Sequence, residues 1–380
     1  MVKLKKTLKL IGVNLLVLVL IIAIMELALS AYFNLGSTES GERKNLSVRG
    51  NLPNYSELDW AEKYWEEYTE HRLEYHSYVG WKGVPKQGEH IIIDDEGYRN
   101  TINKLSETQS KYQIAFLGGS TMWGTGANDA GTIPSCFARL QDSAYVRNLG
   151  QLAYVAQQGY LALECEIAKG YQPQLVIAYD GVNNAPSSRT PFSHSREEQI
   201  RERMVGADSK RQPEALWATK RVIQGIKRRL IQPESNESEP HTGKERLFAV
   251  DLLESWLALK VLCDANNIDF LLVLQPNIGV GSPDVSNLGK AWKELPNGEM
   301  LRSGTSFYQK VNEILAEERY SVLMPNFLDL TNVLDHIPNV YIDHCHLSPN
   351  GNEIIAEAIN NQLISLANAQ QTEKHPTATH

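Results

Sequence analysis

A serine follows directly on a short apolar run and a pair of glycines. Ile114–Leu117 predicts one buried strand, Gly118 and Gly119 break it, and Ser120 comes next. In open α/β sheets the carboxyl ends of the strands form the ligand-binding edge, and a tight glycine turn there can expose a serine hydroxyl. The pattern predicts Ser120 as a nucleophile, and the N-cap of the following helix is its alternative role.

An aspartate and a histidine able to activate such a serine lie near the other end of the chain. Asp343 and His346 stand three residues apart, just before a helical pattern. A serine hydroxyl becomes a good nucleophile when a base removes its proton, and a third group must orient that base. We therefore predict His346 as the base and Asp343 as its orienting partner.

The same loop offers an alternative chemistry. Asp343, His344, Cys345 and His346 are all potential metal ligands. Neighbouring residues on one short loop seldom converge on a single ion, and the sequence contains no second cluster to complete a site. We therefore expect no bound metal.

Two more segments, placed between the serine and the aspartate, extend the pattern. Asn148-Leu149-Gly150 follows a second predicted strand, and Asp180-Gly181-Val182-Asn183-Asn184 follows a third. In this order the four segments resemble the SGNH (GDSL-type) hydrolase family, over roughly residues 112–363. The resemblance implies no cofactor, a Ser120–His346–Asp343 triad, and an oxyanion hole built from the backbone N–H groups of Ser120 and Gly150 and the side-chain amide of Asn183.

The sequence departs from the family pattern at two positions. Gly119 stands where the family usually has an aspartate before the serine, and Asn184 replaces the aspartate that follows the third-block asparagine. Neither replaced residue performs chemistry in the family's triad, so the resemblance still implies an active enzyme.

The elements that must position these residues alternate between strand and helix, which predicts a central parallel sheet and an α/β fold. The predicted strands are Ile114–Leu117, Ala144–Asn148, Leu175–Ala178, Phe270–Leu274 and Phe327–Leu330. The predicted helices are Ile133–Leu140, Ala153–Ala168, Phe248–Asn266, Phe307–Glu318 and Gly351–Leu366. The family resemblance implies a flavodoxin-like three-layer sandwich, which agrees with this pattern.

The N-terminal segment differs in composition from the rest of the chain. Four lysines precede a predominantly apolar run over residues 10–33, in which Glu26 is the one charged residue. About twenty helical residues can cross a hydrocarbon core, and the lysines favour a cytoplasmic N-terminus. We predict one transmembrane signal-anchor helix with the catalytic domain extracytoplasmic, in the periplasm or at the cell surface. A signal peptide cleaved near Ala28-Leu29-Ser30 is the alternative.

The predicted organisation has four parts. Residues 1–35 form the lysine cluster and anchor, 36–110 a tether and N-terminal extension, 111–366 the hydrolase-like domain, and 367–380 a disordered tail. An insertion at residues 186–244 interrupts the domain and contains a basic amphipathic segment, Glu214–Ile231. That segment is predicted to pack on the domain with a solvated basic face, or else to lie on an anionic membrane or cover the site.

Charge narrows the classes of partner. The formal net charge of the chain is −8, and it becomes −11 without residues 1–35, which carry four lysines and one glutamate. Nucleic-acid binding depends on neutralising phosphates, so this acidic balance excludes that class.

We predict a membrane-anchored serine esterase that acts on O-acyl groups, chiefly O-acetyl groups, of cell-envelope glycans or lipids. One alternative is a polysaccharide O-acetyltransferase, which would need a multispan membrane partner to supply its acyl donor. A catalytically silent envelope scaffold or binding protein is the other alternative. The residues of the triad do not separate hydrolysis from transfer, because both reactions pass through the same acyl-enzyme.

Overall fold

The computed structural model describes residues 2–36, 49–185, 244–288 and 297–374. It begins with helix α1, Val2–Gly36. Within α1, Leu10–Ala31 has a mean hydropathy of 2.8, and it is the one helix of the described residues that is long and apolar enough to cross a membrane. The predicted basic segment of the insertion lies outside the described residues.

An extension with little regular structure precedes the main sheet. It contains helix α2 and two small antiparallel hairpins: α2 Ala61–Glu70, β1 Leu73–His76, β2 Gly80–Gly83, β3 Lys86–Gln87 and β4 Ile92–Ile93. Tyr64 and Trp65 of α2 are buried and present an aromatic face of this helix to the interior.

The main sheet has five strands, and every neighbouring pair is parallel. The strands are β5 Tyr112–Gly118, β6 Ala144–Asn148, β7 Leu175–Asp180, β8 Asp269–Leu274 and β9 Phe327–Asp329. Their spatial order is β6-β5-β7-β8-β9, which is the flavodoxin-like order. The predicted α/β fold is therefore confirmed. In this order the ligand-binding crevice falls between β5 and β7, where the strand order reverses.

Helices cover both faces of the sheet. They are α3 Ser120–Trp123, α4 Ile133–Arg139, α5 Ala156–Ala168, α6 Lys244–Ala265, α7 Asn297–Leu315 and α8 Pro349–Lys374. Alternation along β5 divides its side chains between the faces. Leu117 joins a core cluster with Trp256 of α6 and Phe307 of α7, whereas Phe116 packs its ring against Phe137 of α4 with centroids 5.2 Å apart.

Several helix boundaries differ from the prediction. Helix α5 starts at Ala156 instead of at residue 153, because Ala153 has φ +62° and Val155 is extended. Helix α7 begins at Asn297, ahead of the predicted start at Phe307. Helix α8 continues past Leu366 to Lys374, so it occupies part of the predicted disordered tail.

Candidate active site

Ser120 lies where β5 ends at the crevice. Gly118 has φ +155°, and a Cβ on it would lie 2.6 Å from the carbonyl oxygen of Tyr179 on β7, so the close approach of the two strands requires glycine. Ser120 is the first residue of α3, which closes one turn later at Gly124, a left-handed residue with φ +98°. This strand, turn and short helix present the hydroxyl at the carboxyl edge of the sheet.

The imidazole of His346 connects that hydroxyl to a carboxylate. His346 Nε2 lies 2.7 Å from Ser120 Oγ, and His346 Nδ1 lies 2.6 Å from Asp343 Oδ2. Both separations are hydrogen-bond distances. The structure thus brings together the three residues that the sequence analysis placed in a triad.

The loop that carries Asp343 and His346 is held in shape by its own aspartate. Asp343 Oδ1 accepts the backbone N–H of Cys345 at 3.0 Å and that of His346 at 2.8 Å, a local turn typical of aspartate. The His346 carbonyl in turn accepts the N–H of Ile342 at 3.0 Å. Because Asp343 is fully buried, these contacts fix the direction of its second oxygen toward the imidazole.

Electrostatics favour an ionised pair within the triad. Burial alone would raise the pKa of Asp343, but His346 and Arg49 outweigh it and hold that pKa well below its usual range. Burial alone would lower the pKa of His346, but Asp343 raises it well above the usual value for histidine. The carboxylate therefore stabilises the imidazolium that would form when His346 accepts the proton of Ser120.

His344 and Cys345 interact with each other beside the triad. The Cys345 thiol raises the pKa of His344 to about 9. Burial opposes ionisation of the thiol, yet His344 and His346 lower the pKa of Cys345 to about 7. Ligand atoms of Asp343, His344 and Cys345 lie within 4.8 Å of one another, but both oxygens of Asp343 already have protein partners. His344 and Cys345 therefore form a charged pair next to Asp343 and His346.

The three predicted oxyanion donors have different surroundings. The N–H of Ser120 opens a helix and so has no intrahelical acceptor. Asn183 Nδ2 donates one hydrogen to the carbonyl of Tyr154 at 2.9 Å and has a second hydrogen available. The N–H of Gly150 already donates to Asn148 Oδ1 at 3.0 Å. The geometry therefore favours Ser120 and Asn183 as donors, and the role of Gly150 stays a prediction.

The two departures from the expected motif have structural explanations. A Cβ on Gly119 would lie 2.3 Å from Asn183 Nδ2, so the Asn183 amide occupies the space that a side chain at position 119 would need. Asn184 is buried and its Oδ1 accepts the N–H of Ala156, the first residue of α5, at 3.3 Å. An amide oxygen makes this contact as well as a carboxylate would, and it leaves no buried charge.

Sequence reasoning missed the residues of the extension that reach the site. Arg49 Nη2 lies 3.1 Å from Asp343 Oδ2, although residues 36–110 were predicted only as a tether and an N-terminal extension. Asn54 Nδ2 donates to the carbonyl oxygens of Asn339 and Tyr341, just before Asp343. No spacing pattern marks Arg49 or Asn54, because their contacts depend on how a segment without periodicity folds across the domain.

Comparison of the sequence with known proteins assigns this chain to no family. No family model matches the chain, and no curated protein matches it. Among solved structures, one provisionally described as a lipolytic protein of the G-D-S-L family from Desulfitobacterium hafniense is 14% identical, with a TM-score of 0.37 over 66% of this chain and 99% of that chain.

Two other solved structures are similar to the same extent. A member of the lipolytic protein G-D-S-L family from Veillonella parvula is 10% identical, with a TM-score of 0.36 over 66% of this chain and 96% of that one. Axe2, an acetylxylan esterase from Geobacillus stearothermophilus, is 14% identical, with a TM-score of 0.35 over 67% and 94%. Because these TM-scores are below 0.5, a functional assignment has to rest on the geometry of the site itself.

Proposed function

We infer that this chain belongs to the SGNH (GDSL-type) hydrolases and is a serine esterase with Ser120 as nucleophile, His346 as base and Asp343 as orienting acid. The observation that carries the proposal is the continuous contact from Ser120 Oγ through both imidazole nitrogens of His346 to Asp343 Oδ2. It lies at the sheet edge where flavodoxin-like folds bind ligands. A silent scaffold would not require this alignment.

The geometry supports acyl transfer in two steps. Ser120 Oγ attacks the ester carbonyl carbon while its proton passes to His346 Nε2. The N–H of Ser120 and the amide of Asn183 stabilise the negative charge on the carbonyl oxygen. The bond to the alcohol then breaks, and His346 returns the proton to the leaving oxygen.

Water completes the cycle by the same route. It gives one proton to His346 as its oxygen attacks the acyl carbon, the acid is released, and Ser120 regains its proton. The substrates we propose are O-acyl esters, chiefly O-acetyl esters, of envelope glycans or lipids. The apolar helix Leu10–Ala31 supports this choice, because it would place the domain at a membrane.

A fluorophosphonate probe tests the proposed nucleophile. We expect the full chain in detergent to be labelled covalently, and Ser120→Ala to lose both the label and p-nitrophenyl acetate hydrolysis, the latter by about a thousandfold or more. Ser77→Ala, which removes an exposed serine from the turn between β1 and β2, is the control that keeps both signals.

Absence of labelling in a folded wild-type sample would contradict the proposed function, as would equal labelling of Ser120→Ala. With an acetylated glycan as substrate, the product then separates the two reactions. Hydrolysis releases acetate, whereas a transferase given its membrane partner moves the acetyl group to a second glycan.

A further inference from the structure

The carboxylate of Asp343 contacts the guanidinium of Arg49 as well as the imidazole of His346. Its Oδ1 accepts two backbone N–H groups of its own loop, and its Oδ2 contacts His346 Nδ1 at 2.6 Å. Arg49 Nη2 lies 3.1 Å from that same Oδ2. A guanidinium and an imidazole therefore share one oxygen of a fully buried carboxylate.

Arg49 is held in place by contacts outside the triad loop. Its guanidinium lies over the ring of Trp65, 5.9 Å from the centroid. Its carbonyl accepts the N–H of Leu52 at 3.2 Å, and Gly50 is so close to Trp65 that an added Cβ would lie 3.1 Å from the ring. The side chain is 32% exposed, so its position depends on these contacts and on Asp343.

The other titratable groups near the pair include a second histidine, His344, whose Nδ1 lies 3.8 Å from Asp343 Oδ1. They are His344, Cys345 and Tyr341 of the same loop, Tyr55 of the extension, and Tyr179 and Tyr308, which interact with Cys345. The tyrosines are neutral at physiological pH because burial raises the pKa of each. His344 and Cys345 offset each other when both are ionised. Arg49 thus supplies a permanent positive charge directly at Asp343 Oδ2.

We propose that Arg49 is a positioning residue of the catalytic centre, which fixes the Asp343 carboxylate and weakens its hold on the proton of His346. This inference rests on the proposed function. A general base must be neutral before it can take a proton from serine, and an unshared buried carboxylate at 2.6 Å would keep the imidazole protonated. The positive charge of Arg49 contacts the same carboxylate oxygen as His346 and disfavours the imidazolium.

The sign of the effect follows from this arrangement. Removing a nearby positive charge favours the charged form of His346, so its pKa rises and the acidic limb of the pH profile moves to higher pH. The shift expected for loss of one close charge is about one pH unit. A substitution that merely loosens the fold would instead lower activity at every pH.

The test compares Arg49→Gln with Arg49→Lys in the full chain. For hydrolysis of p-nitrophenyl acetate, we expect the pKa that the acidic limb of kcat/KM reports to be about one unit higher in Arg49→Gln than in the wild type. At pH values below the wild-type pKa, the variant should then be about tenfold slower. At alkaline pH it should recover to nearly the wild-type rate. Arg49→Lys keeps the charge and should keep the limb. Arg319→Gln, which removes an exposed arginine paired with Glu254, is the matched control.

A direct titration of the imidazole separates this proposal from the proposed function. NMR of histidine-labelled protein, assigned with His346→Gln, should show a higher pKa for His346 in Arg49→Gln than in the wild type. An unchanged pKa, or a uniform loss of kcat/KM at every pH, overturns the role of Arg49. If the wild type cleaves no ester, the proposed function fails, and the NMR titration still decides what Arg49 does to His346.

Discussion

Gly119 and Asn183 are matched in shape beside Ser120, the proposed nucleophile. Because a Cβ at position 119 would lie 2.3 Å from Asn183 Nδ2, the Gly119→Ala substitution must displace that amide. We expect kcat/KM to fall by about a hundredfold, the lower end of the range for loss of one oxyanion donor. Steady-state hydrolysis of p-nitrophenyl acetate measures the loss, and circular dichroism checks that the fold persists.

The double variant provides the control for this prediction. Once Asn183→Ala has removed the amide, the shortest contact left for a Cβ at position 119 is 3.2 Å, to the Tyr154 carbonyl, so Gly119→Ala should cost little more. Penalties that simply add would contradict the proposed relation between the two residues.

Residue chemistry was the most predictable part of the site. Ser120, Asp343 and His346, which the structure brings into contact, could be proposed from the sequence because each stands next to a strand end or a helix start, where the local pattern limits its position. The state of the Gly150 N–H could not, since it depends on the Asn148 side chain turning back two residues along the chain. Arg49 was missed for a different reason, because only the tertiary fold of an aperiodic segment brings it to Asp343.

Strands and helices were predictable where their buried apolar residues follow a simple pattern along the sequence. The five strands are apolar runs buried by helices, so their existence and parallel arrangement followed from the sequence. Their spatial order came from the family resemblance, because periodicity carries no information about neighbours. The predicted helix boundaries were wrong where a single backbone conformation sets them. At Ala153, for example, the positive φ delays the start of α5.

Arg99 of the extension makes side-chain contacts with the loop that follows Ser120. Fully buried, it pairs with Asp129 at 2.8 Å, donates to the carbonyls of Gly124 and Ala127 at 2.8 and 2.7 Å, and lies over the ring of Trp123, 4.4 Å from its centroid. Arg99→Met would leave Asp129 buried without its cation and would remove one donor from each of the two carbonyls. We expect a loss of about 3–5 kcal/mol in the free energy of unfolding, measured by denaturant titration.

Two further variants test that the loss comes from the uncompensated charge. Combining Arg99→Met with Asp129→Asn should recover part of the stability, because the buried carboxylate is then neutral. Arg319→Gln breaks an exposed ion pair with Glu254 and should change the free energy of unfolding by less than about 1 kcal/mol. A loss of equally small size in Arg99→Met would show that the described hydrogen bonds contribute little.

The whole molecule combines an apolar helix with an acidic remainder. Residues 1–35 carry four lysines and one glutamate, and the rest of the chain has a formal net charge of −11. An acidic domain is repelled by the anionic surface of a membrane, so electrostatics alone would not hold it there. Membrane attachment at the proposed location would therefore come from the apolar helix Leu10–Ala31.

Orientation in the membrane follows from the distribution of lysines. Lys3, Lys5, Lys6 and Lys9 precede the apolar helix, and positive charge is retained on the cytoplasmic side. We expect alkaline phosphatase fused after His380 to be active in a bacterial host, because the fusion is exported. Replacing the four lysines by glutamine should lower that activity by removing the bias, while replacing Lys104, Lys111, Lys260 and Lys310 of the domain should not. The mass of the mature chain and its presence in the membrane fraction decide between an anchor and a signal peptide, since cleavage after Ser30 would remove the helix and release the domain. High fusion activity that persists without the four N-terminal lysines would contradict the role assigned to them, because the orientation would then have another cause.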